Sequence, residues 1–436
     1  MGRIKEERRR RRKKRIINRI VIGASVVVFV AALMVLIPAM RTSVPTDNDI
    51  VKQPTQESTK ETQSIDLQGG EIENTDALSS ESESSEPESL MPEEPDQIQL
   101  VMVGDMLMHT RIIESGKKED GTYNFDHLFT HVKDYIQSAD LAIVNQETIL
   151  GGPDFKYSGY PSFNSPFEVG DALVNAGFDV ILHATNHTLD KGKKAVLNCM
   201  DFWETNYPEI GYVGINRTQE DRDNVFIYEK NGIKVAILNY TYSTNGKDLP
   251  SDMPFIVNLF KESEIVEDIK KAEELADFTI VCPHWGQEYS LGTNSFQKKW
   301  TKVFLENGVD LVLGAHPHVI EPIEWVKDDD GHQMLVYYSL GNYVNGTSST
   351  KGNLAHRMVG GIADVTLERN EEGKVVIAEH DVEPIVCHID KGEAYTVYYL
   401  KDYTKEMALE NQIILQDSKF CKEACDEVVN QVWGEQ

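Results

Sequence analysis

Val309-Asp310-Leu311-Val312-Leu313-Gly314-Ala315-His316-Pro317-His318 is the stretch that decides the fold. Its first five residues read as a short buried strand. Two imidazoles follow, two residues apart, just past the strand end, where both can point into one site. A hydrophobic core gains nothing from such a pair, because each buried polar ring needs a partner. The pattern suits metal ligation, so matching ligands are to be sought at the other strand ends.

Strands are expected at 98–103, 141–144, 179–182, 278–281, 311–313 and 334–338. Helical spacing covers 125–138, 167–176, 191–205, 263–276 and 296–307. Hairpin signals occur at Asn231-Gly232 and at Glu371-Glu372-Gly373. The segment 394–400 is ambiguous, and 405–433 reads as a helical cap. Alternation of this kind predicts an α/β domain with helices on both sides of largely buried sheet. In open α/β sheets, ligands bind beyond the carboxyl ends of strands. Here those ends carry Gly104-Asp105, Asn145-Gln146-Glu147, His183-Ala184-Thr185-Asn186-His187, Cys282-Pro283-His284, Gly314 to His318, and Ser339-Leu340-Gly341-Asn342.

Six of these side chains form a candidate ligand set: Asp105, Glu147, Asn186, His284, His316 and His318. Oxygen and imidazole donors without thiolate suit Mn, Fe, Zn or Co. The set exceeds the needs of one tetrahedral ion and fits two divalent ions bridged by a carboxylate, a pair able to activate water and stabilise both oxygens of a displacement. Trp285, Glu288 and Tyr289 follow His284 and are placed to line a pocket. Tyr338 and Asn342 either hydrogen-bond the ligands or brace the loops. His127, His131, His332, His356, His380 and His388 lie off these strand ends and read as ordinary histidines.

The rest of the chain places this domain. Residues 1–19 hold eleven Lys/Arg and two Glu, a net +9, and residues 20–40 carry no charge. That run is long enough for a single membrane-spanning helix, and the basic block predicts a cytoplasmic N-terminus with everything after Arg41 outside. A cleaved signal peptide is the rival reading. The run is long for one, and Pro38-Ala39-Met40-Arg41 is a poor cleavage site. Residues 41–97 form an acidic linker, expected to be disordered and extended by its own charge. The whole chain carries −28; setting aside the +9 block and Arg41 leaves −38 outside. Such a surface repels nucleic acid, and an anionic substrate must meet a local positive centre. Five scattered cysteines argue for a core held by burial rather than disulfides.

Taken in order, Gly104-Asp105, Asn145-Gln146-Glu147, Asn186-His187-Thr188-Leu189-Asp190-Lys191-Gly192, His284-Trp285-Gly286-Gln287-Glu288-Tyr289, Gly314-Ala315-His316-Pro317-His318 and Tyr338-Ser339-Leu340-Gly341-Asn342 resemble the CapA family. These are poly-gamma-glutamate capsule biosynthesis proteins of the calcineurin-like metallophosphatase superfamily. The resemblance covers residues 98–345 and implies a layered α/β/β/α sandwich, completed by C-terminal strands and a helical cap over 346–436. It implies that Asp105 and His318 hold one metal, that Asn186, His284 and His316 hold a second, and that Glu147 bridges them. His187 would protonate the leaving group, and Asp190 either orients His187 or fixes its loop. Two departures stand out. Asp105-Met106-Leu107-Met108-His109 puts the first-motif histidine four residues on, so His109 is expected behind the ligands or unrelated to them. Glu147 replaces the usual aspartate. Asn145, Glu288, Tyr338 and Asn342 complete the expected surroundings of the ligands.

Function follows as an expectation. The chain reads as a membrane-anchored, extracytoplasmic metal-dependent hydrolase in capsule or envelope polymer biosynthesis. Its implied partners are poly-gamma-glutamate or another envelope polymer, the polymer's membrane synthase, and the bilayer through residues 20–40. The alternative is a non-catalytic subunit that tethers polymer beside a synthase or exporter.

Overall fold

Residues Ile98, Leu100 and Met102 are buried in one apolar cluster, and Val101 and Val103 in another. Successive side chains of a strand point to opposite faces, so this strand is covered on both sides. A computed structural model describes residues 96–347, 352–392 and 394–434. The expected basic segment, membrane helix and nearly all of the linker lie outside the described residues. Among those described, no helix is long and apolar enough to cross a membrane.

The strands are β1 (Gln97–Leu107), β2 (Leu141–Asn145), β3 (Val180–Leu182), β4 (Gly211–Val213), β5 (Phe226–Lys230), β6 (Ile233–Thr241), β7 (Phe278–His284), β8 (Leu311–Leu313), β9 (Ile323–Lys327), β10 (Gln333–Tyr337), β11 (Asn342–Asn345), β12 (Val359–Arg369), β13 (Val375–Ile389) and β14 (Tyr395–Tyr399). One sheet runs β14-β13-β12-β1-β2-β3-β4, with β11 also paired to β1, and the other runs β5-β6-β7-β8-β10-β9. The β1 to β4 segment is parallel, as is β6-β7-β8-β10, so their carboxyl ends lie along common edges.

Three apolar layers set the order of the fold. Leu100, Ile143 and Leu182 of the first sheet meet Ile237, Ile280 and Leu313 of the second in one cluster. The opposite face of the first sheet packs on Leu173 of helix Glu168–Ala176 and on Met200 and Trp203 of helix Gly192–Asn206. The opposite face of the second sheet packs on Ile265 and Ile269 of helix Glu262–Leu275 and on Trp300 and Phe304 of helix Ser295–Glu306. Each fully buried Leu or Ile in these layers contributes about 1.5–3 kcal/mol.

Several elements differ from expectation. The 125–138 segment is a 3-10 turn, Asp126–Phe129, followed by a short helix, Lys133–Gln137. Thr396 Oγ1 donates to the His127 carbonyl and Tyr343 Oη to the Leu128 carbonyl, acceptors that a continuous helix would use internally. The 394–400 segment is an edge strand, β14. The C-terminal cap is broken into Lys405–Glu410, Gln412–Leu415 and Lys422–Trp433. Asn411 interrupts it, accepting from Ile413 N at 3.0 Å and donating to the Cys387 carbonyl at 3.2 Å. Strands β4, β9 and β11 were not expected. β12 pairs with β1, so the residues after 346 extend the first sheet. The five cysteines are free.

Gly104 shows how tightly β1 and β11 approach. A Cβ there would lie 1.9 Å from the Gly341 carbonyl oxygen. Only glycine allows this approach, and it brings Asp105 N to the Gly341 carbonyl at 2.9 Å.

Candidate metal centre

Asp105 lies in β1 where the register shifts against both β2 and β11. Its carboxylate is fully buried and accepts from Asn145 Nδ2 at 2.8 Å and from His316 N at 3.2 Å. His318 Nδ1 lies 3.0 Å from Asp105 Oδ2 and 3.1 Å from Asn342 Oδ1. Asn342 Nδ2 in turn donates to the His318 carbonyl at 2.9 Å. Such partners fix ring orientation and raise the basicity of a metal-binding imidazole.

Glu147 sits at the middle. Its Oε1 is 3.6 Å from His318 Nε2, 3.7 Å from His284 Nε2 and 4.0 Å from His187 Nε2. Both of its oxygens are buried without a hydrogen-bond partner, as is His316 Nδ1. Ligand atoms of Asp105, Glu147 and His318 lie within 4.8 Å of one another, as do those of Glu147, His284 and His316, so Glu147 belongs to both groups. His284 Nε2 is also 3.0 Å from Asn186 Oδ1. Buried polar atoms left without partners are costly in a folded protein, and these converge on one place. The residues fit a divalent metal, and Glu147 is common to both groups.

The electrostatics agree. Burial pushes the Glu147 carboxyl well above the usual range, with Asp105 adding to the rise. Burial depresses His284 and His316 well below the ordinary imidazole value, and neighbouring imidazoles lower them further. Burial also opposes charge on His318, yet Glu147 and Asp105 raise it to about 9.

The backbone of the rim is strained. Asn245, Tyr289, His316 and His318 account for four of the six non-glycine residues with positive φ among the described residues, His316 at 100° and His318 at 57°. Left-handed backbone costs roughly 1–3 kcal/mol per residue and persists where its surroundings over-determine it. Here Trp285 N donates to the Ala315 carbonyl at 3.1 Å, and Tyr289 N to the Pro317 carbonyl at 2.7 Å.

His187 stands beside the ligand set. Its Nδ1 is 2.7 Å from Asp190 Oδ2, which also accepts from Phe163 N at 2.7 Å. Asp190 therefore orients the imidazole and ties the loop at once. The Phe163 ring meets His187 edge-on with centroids 4.6 Å apart.

The remaining candidates divide. Asn145 and Asn342 touch ligands directly. A Glu288 carboxylate oxygen, although the residue is exposed, lies within 4.8 Å of His316 and His318 ligand atoms. His109 precedes helix Thr110–Ser115 and meets Phe163 edge-on at 5.3 Å. Burial, then the His318 and His187 charges, lower it to about 4, but it joins no ligand group. Tyr338 takes the bracing role and not the ligand-bonding one, its carbonyl accepting from Trp285 Nε1 at 2.9 Å. Its ring stacks on Trp285 and its hydroxyl donates to Glu324 at 2.8 Å, within the layer under the helices. The two-residue strand period turns Tyr337 toward the inter-sheet layer and Tyr338 away from it. Sequence reading missed Tyr242, whose ring lies 4.7 Å from His316, and Asn245, whose Nδ2 is 3.4 Å from His187 Nδ1. It also missed Arg357. Asn245-Gly246 signals a turn but no chemistry, and the other two sit in segments without a motif.

His183 opens the loop that carries Asn186 and His187, and its cost is met inside the fold. Trp203 Nε1 donates to His183 Nε2 at 2.9 Å, and burial lowers the ring from 6.5 to about 3. An unfolded chain protonates this histidine near pH 6.5 and the folded chain does not, so its contribution is intact above 6.5 and is lost as pH falls from there toward 3. Denaturant midpoints measured at pH 7 and pH 5 are expected to show a smaller drop for His183→Leu than for the parent chain, by up to one proton of linkage. Equal drops would exclude this role.

Residues 99–347 match the family model described as bacterial capsule synthesis protein PGA_cap. The chain is 27% identical over 321 residues to the capsule biosynthesis protein CapA of Bacillus anthracis, covering 69% of this chain and 73% of that one. It is 26% identical over 336 residues to the PGA biosynthesis protein CapA of Bacillus subtilis, covering 74% and 80%. Among solved structures it is similar to the NAD nucleotidase NadN of Haemophilus influenzae, with TM-score 0.43, 11% identity, and 69% of this chain over 59% of that one. It is also similar to a 5'-nucleotidase from Candida albicans, with TM-score 0.34, 14% identity, and coverage of 64% and 53%. The family match spans more than half of the sequence and includes Asp105, Glu147, Asn186, His187, His284, His316, His318 and Asn342, and the chain belongs to the bacterial capsule synthesis protein PGA_cap family.

Proposed function

We propose that this protein is a membrane-anchored, extracytoplasmic, metal-dependent hydrolase acting on a capsule or cell-envelope polymer, poly-gamma-glutamate foremost. Glu147 carries the reading: a fully buried carboxylate with two unpartnered oxygens, shared by two ligand groups and 4.0 Å from an oriented histidine. Asp105, His318 and Glu147 would hold one divalent ion, and Asn186, His284, His316 and Glu147 a second, drawn from Mn, Fe, Zn or Co. Bound there, the ions would supply Lewis acidity and an activated water.

The chain's own residues supply the rest. Asp190 Oδ2 accepts a hydrogen bond from His187 Nδ1–H, which fixes the ring with Nε2 toward Glu147. A protonated Nε2 would then serve as the general acid for the leaving group. Asn145 and Asn342 hold Asp105 and His318 in place. Family membership supports the capsule polymer as the setting, and the basic block followed by 20–40 supports anchoring with the domain outside.

The test is metal analysis of the purified full chain, with turnover of γ-glutamyl oligomers and model phosphodiesters. Stoichiometric metal with turnover is expected. Metal-loaded protein that cleaves no envelope polymer would overturn the hydrolase reading in favour of a tethering subunit.

A further inference from the structure

The described residues carry five arginines, and three are paired: Arg217 with Asp201 and Glu204, Arg222 with Glu264 and Asp268, Arg369 with Asp96 and Asp277. Arg111 is exposed. Arg357 is different. It is half-buried, it has no carboxylate partner among the described residues, and its guanidinium carbon lies 3.6 Å over the centre of the Tyr289 ring. The Tyr289 ring in turn lies 5.9 Å from that of His318. An acidic domain that leaves a partly desolvated guanidinium unpaired, one aromatic ring from its ligand cluster, calls for a partner from outside the fold.

Two connections hold this group in place. The Arg357 carbonyl accepts from Asn342 Nδ2 at 3.0 Å, and Asn342 also accepts from or donates to His318 at two points. Arg357 Nη1 donates to Thr347 Oγ1 at 3.2 Å. One face of the guanidinium is thus stacked and one nitrogen engaged, which leaves donors for a planar acceptor. Arginine matches a carboxylate with two parallel N–H bonds, and stacking on an aromatic ring pre-organises the fork. Glu288 does not fill this role, since its carboxylate faces the His316 and His318 ligand atoms.

We infer that Arg357, held on Tyr289, is a specificity subsite for a substrate carboxylate adjacent to the bond presented to the ligand cluster. The subsite would select a polymer with one free carboxylate per repeat. This inference rests on the proposed hydrolase reading for the position of the reacting bond, although binding at Arg357 can be measured without turnover.

The test titrates the full chain, Arg357→Gln and Arg357→Lys with a short γ-linked glutamate oligomer, with the same oligomer amidated on its free α-carboxylates, and with a glycerol-phosphate oligomer. Arg357→Gln is expected to weaken the carboxylate oligomer by roughly tenfold or more. Arg357→Lys should restore only part of that, because a point charge lacks the fork. The amidated oligomer should bind all three chains alike, and thermal melts check that each is folded. Tyr289→Ala, which removes the platform, should repeat part of the loss. Unchanged or equal losses on the two glutamate oligomers would overturn the subsite, as would no binding to the parent chain. Arg357-dependent preference for the phosphate oligomer would overturn the carboxylate assignment. Turnover is scored separately. Arg357-dependent binding without cleavage removes the hydrolase reading and keeps the subsite, and cleavage indifferent to Arg357 does the reverse.

Discussion

Glu147→Gln is expected to lower metal affinity by more than about a hundredfold, beyond the 10–100-fold that follows loss of a residue merely supporting a ligand. Glu147 is the one side chain common to the Asp105–His318 and His284–His316 groups. An amide keeps the volume but offers one weak oxygen where the carboxylate offers two charged ones. Turnover should fall with the metal. The same substitution should leave the chelated protein less sensitive to alkaline pH. Burial raises the Glu147 carboxyl well above 4.5, so its folding contribution is present at low pH and is lost as pH rises. His318, raised from 6.5 to about 9, has the same sign: its contribution is full below 6.5 and is lost as pH climbs toward 9. Between pH 7 and 9, above the range in which His183, His284 and His316 charge in the unfolded chain, melting temperatures in chelator should therefore fall for the parent chain, and fall less for Glu147→Gln. Retained metal in the variant would exclude the bridging role.

His187→Ala should separate chemistry from ligation. General acid–base groups contribute about 10²–10⁴-fold to rate, and a loss of that size in kcat is expected with metal content unchanged. His187 Nε2 is 4.0 Å from Glu147, yet His187 belongs to none of the ligand groups. Asp190→Asn should give a loss of the same kind, because the 2.7 Å contact to Nδ1 sets which nitrogen carries the proton. Metal lost from His187→Ala to the extent seen for Glu147→Gln would make it a ligand instead.

Much of this site was legible because it follows strand geometry. A short apolar run ends a buried strand, and polar residues next to it must find partners, so Asp105, Glu147, Asn186, His284, His316, His318 and Asn342 stood out by position. The structure brings their side chains together. Strand-end position says nothing about which face a side chain takes, so Tyr338 stayed between bonding the ligands and bracing the loops; it lies on the far side of the sheet, stacked on Trp285. Arg357 was silent because its role depends on a ring 68 residues earlier, brought beneath it by tertiary packing. The broken helix at 125–138 shows the same limit: bonds from Tyr343 and Thr396, far along the chain, override local spacing.

The two sheets divide the ligands between them. Asp105 lies in β1, and Glu147 and Asn186 follow β2 and β3 of one sheet; His284 ends β7, and His316 and His318 follow β8 of the other. The gap between Glu147 and His284 is therefore a measure of how far apart the sheets stand, and that separation is set by the packed side chains between them, such as Leu182, Ile280 and Leu313. Protein interiors yield little to compression. The apolar layer thus acts as a calliper for the site, fixing the spacing of its candidate ligands through residues that take no part in it.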